Sequence, residues 1–208
     1  MASPNNPHDI CTWRPVSECA GCSIAGRLKC RFKLGDWLHF LGMFLTFVAP
    51  AFIGVILGGY GGYLLGWAAF WLVFFGLWEI RILCSHCPYY AERGAMLRCI
   101  ANYGSLKVWE YHPEPMGVSE KVQLTIGFVI LGVYPFPFMV LGGQYLWACI
   151  ALWGLAMFFW TLRRDTCSRC VNFSCPLNGV SEEVVDAYLE RNPVMRQAWK
   201  KAGVRRLQ

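Results

Sequence analysis

Two long uncharged stretches constrain the fold of this chain most. They run from Trp37 to Trp78 and from Val122 to Leu162, and each contains about 40 apolar and aromatic residues without a Lys, Arg, Asp or Glu. A helix needs roughly 20 apolar residues to cross about 30 Å of membrane hydrocarbon. Glycines interrupt the stretches near their middles, at residues 58–62 and 142–143. Each stretch therefore predicts two membrane-crossing helices joined by a tight turn.

Helix boundaries follow from the glycines, prolines and polar residues around these stretches. The four predicted helices cover approximately residues 37–57, 63–83, 121–141 and 144–162. Pro50 in the first helix and Pro135 and Pro137 in the third should kink or locally unwind them, which membrane helices tolerate when neighbours satisfy the freed carbonyl groups. The sequence thus predicts an all-α integral membrane protein with four transmembrane helices.

The segment after Leu177 predicts two short helices. Ser181 is a good cap for the first, and Asn192-Pro193 is a good start for the second. The second carries Trp199 among basic residues, a pattern typical of a helix at the lipid headgroups or of one that docks on a partner.

Basic residues predict how the helices are oriented. All 19 Lys and Arg lie outside the uncharged stretches, with 5 before Trp37, 5 from Arg81 to Lys121 and 9 from Arg163 onward. Such residues mark the cytoplasmic side of membrane proteins. We therefore expect a multi-pass protein of the inner (cytoplasmic) membrane with both termini cytoplasmic. The net charge of +6 fits contact with a lipid bilayer, and we expect no nucleic-acid partner.

The chain divides into five segments, and its two halves look related. The segments are an N-terminal Cys-rich part (1–36), hairpin 1 (37–83), a Cys-containing connector (84–120), hairpin 2 (121–163) and a C-terminal Cys motif with a helical tail (164–208). Leu-Gly-Gly at 57–59 recurs at 141–143, and Arg81, Cys84 and Cys87 recur 83 residues later. Two hairpins of equal orientation form a parallel repeat. The fold we predict is two pseudo-repeated helical hairpins with a cytoplasmic Cys-rich cap.

Ten cysteines fall on the predicted cytoplasmic side, in three clusters that each contain Cys-x-x-Cys. They are Cys11, Cys19, Cys22 and Cys30, then Cys84, Cys87 and Cys99, and finally Cys167, Cys170 and Cys175. A two-residue spacer lets both sulfurs face one centre, and thiols in a reducing compartment are more often metal ligands than disulfides. These ten residues are our candidate metal ligands. We exclude Cys149, which lies inside the fourth helix and is interpreted as a packing residue.

Iron–sulfur clusters are the favoured interpretation, with zinc as the alternative. The Cys-Pro pairs at 87–88 and 175–176 and the number of thiols favour iron–sulfur, whereas the knuckle-like pairs favour zinc. The arrangement is loosely similar to membrane quinol dehydrogenases with Cys-Pro motifs at cytoplasmic helix ends, although their three-residue spacing is absent. Two groupings stay open. Cys84, Cys87, Cys167 and Cys170 could form one site, or each hairpin could hold its own cluster completed by N-terminal thiols, and we favour the second.

Two protonatable residues near the predicted membrane boundary are candidates for proton handling. Glu79 is the only acidic residue within a predicted membrane helix, one turn before Cys84, and His39 lies at the start of the first helix. An acidic group within the membrane commonly serves a proton or ligand pathway. Near a helix end, however, pairing with Arg81 or snorkelling to the interface is enough to explain Glu79, and we favour this interpretation over a functional role. His86, between two candidate ligands, could replace one of them or face water.

Electron transfer is the function that these observations favour. Cytoplasmic iron–sulfur clusters would pass electrons to or from a quinone or a redox partner subunit, so the chain would belong to a membrane oxidoreductase. One alternative is a zinc-stapled scaffold or assembly protein. Another is a membrane thiol oxidoreductase, superficially similar to four-helix disulfide-forming enzymes, which requires thiols on the oxidising side. No P-loop or dinucleotide-binding motif occurs in the sequence.

Overall fold

A computed structural model describes residues 5–204, and every regular element in that part of the chain is helical. Four helices are long and apolar enough to cross a membrane: α1 (Leu34–Leu57), α2 (Gly61–His86), α3 (Val118–Leu141) and α4 (Tyr145–Arg169). Two shorter helices follow, α5 (Glu182–Glu190) and α6 (Pro193–Lys201). The number and approximate bounds of the helices agree with the sequence prediction.

The α1–α2 and α3–α4 turns have the same backbone structure. The second glycine of each pair has a positive φ, +83° at Gly59 and +66° at Gly143, which suits a residue without a side chain. The next residue in each turn, Tyr60 or Gln144, donates its N–H to the carbonyl oxygen five residues earlier, at 3.0 and 2.8 Å. This hydrogen bond is characteristic of a Schellman motif, so both first helices end by the same mechanism.

Glycines also set how closely the long helices approach one another. A Cβ on Gly142 would lie 2.5 Å from the Cα of Gly58, so the two turns touch. A Cβ on Gly154 in α4 would lie 2.2 Å from the carbonyl oxygen of Thr46 in α1. This is the carbonyl that Pro50 deprives of its helical donor, yet α1 stays helical through Pro50 without the expected unwinding. As a result, α1 packs most closely against α4 and not against its sequence neighbour α2.

The expected interruption of the third helix is present. α3 breaks at Tyr134, immediately before Pro135. Pro135 has no N–H for the carbonyl oxygen of Leu131, and the indole N–H of Trp67 in α2 donates to that oxygen instead, at 3.2 Å. Trp67 is buried, so a side chain from the neighbouring helix satisfies the freed carbonyl inside the bundle.

Segments outside the four long helices share one hydrophobic core, which we call the cap core. Its buried side chains come from the N-terminal segment, the last turns of α2, the α2–α3 connector and the C-terminal segment, and include Ile10, Tyr89 and Tyr188. Met195 and Trp199 of α6 are also buried there. The apolar face of α6 therefore packs on the chain itself, where we expected contact with lipid headgroups or a partner.

Candidate metal centres and the adjoining cavity

α2 and α4 end in the same turn, built on the pattern Arg-x-x-Cys-Ser-x-Cys at 81–87 and 164–170. The hydroxyl groups of Ser85 and Ser168 donate to the carbonyl oxygen four residues earlier. In each turn the N–H of the second cysteine donates to the carbonyl oxygen of the first, at 2.9 and 3.4 Å. The serine is part of the shared pattern that our sequence comparison of the two halves missed.

A third cysteine accompanies each turn, Cys99 for the first and Cys175 for the second, and the surroundings of these two cysteines are alike. Burial raises the pKa of the Cys99 thiol, and hydrogen bonds from the backbone N–H groups of the residues two and three positions later oppose the rise. Burial likewise raises the pKa of Cys175, opposed by N–H groups at the same two positions. The later position holds an asparagine in both cases, Asn102 and Asn178. The two third cysteines therefore have matching sequence and matching surroundings.

These six cysteines line one cavity, and we call them the hairpin-end thiols. They are Cys84, Cys87, Cys99, Cys167, Cys170 and Cys175. Burial raises the pKa of Cys87, and the neighbouring thiols of Cys99 and Cys170 raise it further. Because Cys87 and Cys170 belong to different turns, the sulfurs of the two halves are neighbours.

A second set, the N-terminal thiol group, consists of Cys11, Cys19, Cys22 and Cys30. Burial raises the pKa of Cys30 to about 12, together with the nearby thiols of Cys11, Cys22 and Cys19. Donors reach two of these sulfurs: Arg31 Nη2 lies 3.4 Å from Cys19 Sγ, and Asn192 Nδ2 lies 3.2 Å from Cys11 Sγ. These four thiols are therefore close to one another and are supplied with hydrogen-bond donors by their own segment and by the C-terminal tail.

Lys29 and Tyr89 connect the two thiol sets. The backbone N–H of Lys29 donates to the carbonyl oxygen of Arg169 at 2.7 Å, and its carbonyl oxygen accepts from the hydroxyl of Tyr89 at 2.6 Å. Tyr89 is 1% exposed, and burial raises its pKa most. Nearby thiols of both sets, including Cys99 and Cys30, raise this pKa further. The Tyr89 ring therefore lies between the hairpin-end thiols and the N-terminal thiol group.

This arrangement differs from the grouping that we favoured from the sequence. N-terminal thiols stay together and do not complete separate clusters on the two hairpins. All cysteines are free thiols. Among residues 5–204, no three His, Cys, Asp or Glu side chains are arranged to hold a metal ion, so ligation by the ten cysteines stays a prediction. Cys149 is exposed on α4 and is not the buried packing residue that we expected.

Glu79 is buried beside the hairpin-end thiols. It is 3% exposed and lines the cavity. Its Oε2 accepts a hydrogen bond from Asn102 Nδ2 at 2.6 Å and one from the Cys84 thiol at 3.5 Å. The same Asn102 nitrogen lies 3.1 Å from Cys84 Sγ. Snorkelling or pairing with arginine therefore does not describe this carboxyl group, which is held next to a candidate ligand.

The two histidines considered from the sequence lie elsewhere. His39 is exposed on α1 and does not line the cavity. His86 is buried, and its Nδ1 and Nε2 contact the Glu114 carbonyl oxygen at 2.7 Å and Glu120 Oε1 at 3.3 Å. His86 thus neither faces water nor points at a thiol, but joins the connector to the start of α3.

The cavity that begins at the hairpin-end thiols continues into the helix bundle. Its volume is about 380 Å³, within the range of small-molecule sites. All four long helices line it, mostly with aromatic and aliphatic side chains, among them Phe44, Trp71, Phe128, Leu155 and Phe158. Polar lining residues such as Glu79 and Asn102 lie with the thiols at the cap end, so the cavity is polar at one end and apolar along the bundle.

Sequence reasoning missed three groups that surround the thiols: the Tyr89 ring and the Asn102 and Asn192 amides. Only one signal for them exists in the sequence, the repeated Cys-x-x-Asn at 99–102 and 175–178. Comparison with known proteins adds nothing further, since no family model, no curated protein and no solved structure matches this chain.

Proposed function

We propose that this protein is a multi-pass membrane electron-transfer protein whose cap cysteines hold iron–sulfur clusters. One observation carries the proposal: ten buried or partly buried thiols lie in two sets, and side-chain N–H donors lie within 3.4 Å of sulfurs in both. Buried thiols that only fill space do not require such donors, whereas hydrogen bonds to sulfur stabilise metal-bound thiolates and set their potential.

The donor set fits the proposed group. An iron–sulfur cluster is held by four Cys thiolates. The N-terminal thiol group would supply four, and the hairpin-end thiols would supply the ligands of a second cluster. Burial raises the pKa of Cys30 and Cys87, which disfavours the thiolates in the absence of a cation. A bound metal would provide the positive charge that these sites lack.

The proposed placement in the membrane follows from charge and length. The four long helices span the inner (cytoplasmic) membrane, and the cap core, with both termini, lies in the cytoplasm where the basic residues concentrate. The two hairpins are a structural repeat, as supported by their matching glycine turns and matching Arg-x-x-Cys-Ser-x-Cys ends.

Residues around the thiols have distinct roles in this proposal. When bound, an iron–sulfur cluster accepts and returns single electrons. Tyr89 fills the space between the two thiol sets and keeps water out of it. Asn102 holds the Glu79 carboxyl group and donates to Cys84, and Glu79 is the nearest carboxyl group for protons that accompany electrons. His39, exposed on α1, lies away from the cavity and has no role in this scheme. Electrons would pass to or from a quinone or a partner subunit.

Metal analysis of the protein tests the proposal. The protein is purified anaerobically in detergent, and iron, acid-labile sulfide and zinc are measured per chain together with the visible spectrum. We expect about four or eight iron and sulfide per chain and a brown colour. Zinc at about one or two per chain without colour would overturn the electron-transfer proposal and leave the zinc-stapled scaffold.

Matched cysteine variants test the ligand assignment. Cys30→Ser should lower the iron content by about four per chain if a cluster binds the N-terminal thiol group. Cys149→Ser, which changes an exposed cysteine outside both sets, should leave it unchanged. Equal iron contents in the two variants would contradict the assignment.

A further inference from the structure

The bundle cavity has the shape of a site for an amphipathic ligand. Its cap end holds the Glu79–Asn102 hydrogen bond of 2.6 Å and the hairpin-end thiols. Its other end lies among Phe47, Leu131 and Gly132, within the long helices. A ligand that fits both ends has a polar head and a long apolar tail.

We propose that the cavity binds a lipid-soluble quinone, with the ring at the cap end and the isoprenoid tail between the helices. Aromatic side chains suit a flat ring, because offset or edge-to-face ring pairs stabilise binding in addition to the burial of apolar surface. Phe44 and Trp71, whose ring centroids are 4.9 Å apart, form part of the wall, as does Phe158 at 5.5 Å from Phe44. Thr166, next to Cys167 at the cap end, also lines the cavity, and its hydroxyl provides a donor for a ring oxygen.

This inference rests on the proposed function for its chemistry, though not for binding. Reduction of a quinone to a quinol takes up two electrons and two protons and forms two O–H bonds. The hairpin-end thiols would hold a cluster that supplies these electrons one at a time and is reduced again by a redox partner subunit between the two transfers, and the protons would come from the aqueous side of the cap. The cavity wall itself contains those six thiols, so the ring lies beside the electron donor.

Two tryptophan substitutions on α4 give a matched test. Leu155 lines the cavity, whereas Leu152 is 58% exposed on the outer surface of the same helix. Leu155→Trp fills the cavity, and Leu152→Trp adds the same fluorophore outside it. Ala101→Leu, a smaller change at the cap end of the cavity, provides a second filled variant should Leu155→Trp not fold.

Binding is measured with a benzoquinone carrying a ten-carbon tail, titrated into the purified protein. Trp37 and Trp71 line the cavity, so a bound quinone quenches their fluorescence. We expect saturable quenching in the wild type and in Leu152→Trp. In Leu155→Trp and Ala101→Leu the affinity for the quinone should be weaker by at least about tenfold. The same alkyl tail without the quinone ring serves as the competitor.

The outcomes separate this inference from the proposed function. Quenching that does not saturate, or equal affinities in the filled variants and Leu152→Trp, would overturn the quinone site. Competition by the bare tail as strong as by the quinone would overturn it too, in favour of an acyl-chain site. Iron and sulfide are measured on the same samples. If the protein contains iron–sulfur clusters but does not bind the quinone, the quinone site is refuted and the proposed function stands. If the protein binds the quinone but contains no iron, the proposed function is refuted and the quinone site stands.

Discussion

Substitution of Asn102 by leucine offers a direct test of the structure around Glu79. Leucine has a similar size but removes the amide that donates to Glu79 Oε2 at 2.6 Å and to Cys84 Sγ at 3.1 Å. The carboxyl group, 3% exposed, would keep only the Cys84 thiol at 3.5 Å. A buried polar group left without its partner costs about 1–3 kcal/mol. With the weaker bond to sulfur included, we expect Asn102→Leu to lower the free energy of unfolding by about 2–3 kcal/mol.

A double-mutant cycle isolates the contact from any general effect of the substitution. Glu79→Leu removes the carboxyl group, so Asn102→Leu added to it no longer leaves a buried acceptor unpaired. Unfolding free energies are measured for the four proteins by denaturant titration in mixed micelles, followed by far-UV circular dichroism. We expect a coupling energy of at least about 1 kcal/mol. Additivity of the two single changes within about 0.5 kcal/mol would refute the reasoning.

The same substitution should change the reduction potential of a cluster at the hairpin-end thiols. A hydrogen bond to sulfur is stronger in the reduced state, because the thiolate then carries more negative charge. If the bond is about 0.5–1.5 kcal/mol stronger in the reduced state than in the oxidised state, its loss should lower a one-electron potential by roughly 20–65 mV. Asn102→Leu should therefore be harder to reduce in a redox titration followed by its visible spectrum, and an unchanged or higher potential would contradict this role of Asn102.

Three further predictions concern packing and hydrogen bonds. Gly154→Ala should lower the unfolding midpoint, at a cost of about 1–3 kcal/mol or more, because the added Cβ would clash with the α1 backbone. Gly42→Ala, where the added Cβ meets open space, should leave the midpoint unchanged, and equal midpoints for the two variants would contradict this. Trp67→Phe should lower the free energy of unfolding by about 1–3 kcal/mol, because the carbonyl oxygen of Leu131 in α3 loses its donor. Trp160→Phe, at an exposed position, should leave the free energy of unfolding unchanged. Asn192→Leu removes three hydrogen bonds in the cap, so amide hydrogen exchange in the N-terminal segment should accelerate, and unchanged exchange would argue against that contact.

The long helices were predictable because bilayer thickness and uncharged length leave few alternatives. Their packing was not, since it depends on contacts that the sequence does not display. The role of Gly154 comes from its contact with Thr46, and the role of Trp67 comes from the carbonyl that Pro135 frees. Any membrane helix contains such glycines and tryptophans, so composition does not distinguish the ones that hold two helices together.

Local sequence spacing indicates which nearby residues lie together around the candidate site, but it does not indicate contacts between distant residues. Both Cys-x-x-Cys turns and the position of Glu79 follow from local spacing. The grouping of thiols does not, because it depends on how the N-terminal segment folds against the connector and the tail. Asn192 reaches Cys11 across 181 positions in the chain, and no local pattern indicates that contact.

Contacts between the two ends of the chain also determine when the cap can assemble during synthesis. The N–H of Cys11 donates to Asn192 Oδ1 at 2.7 Å, and the Thr12 and Tyr188 hydroxyl groups are 2.8 Å apart. Trp199 completes the same buried core close to the C-terminus. Because a ribosome releases the N-terminal segment first, its four thiols reach the surroundings described above only after the four long helices, α5 and α6 have also been synthesised. Folding of the segment that carries the N-terminal thiol group therefore depends on synthesis of the segment that contains Tyr188 and Asn192.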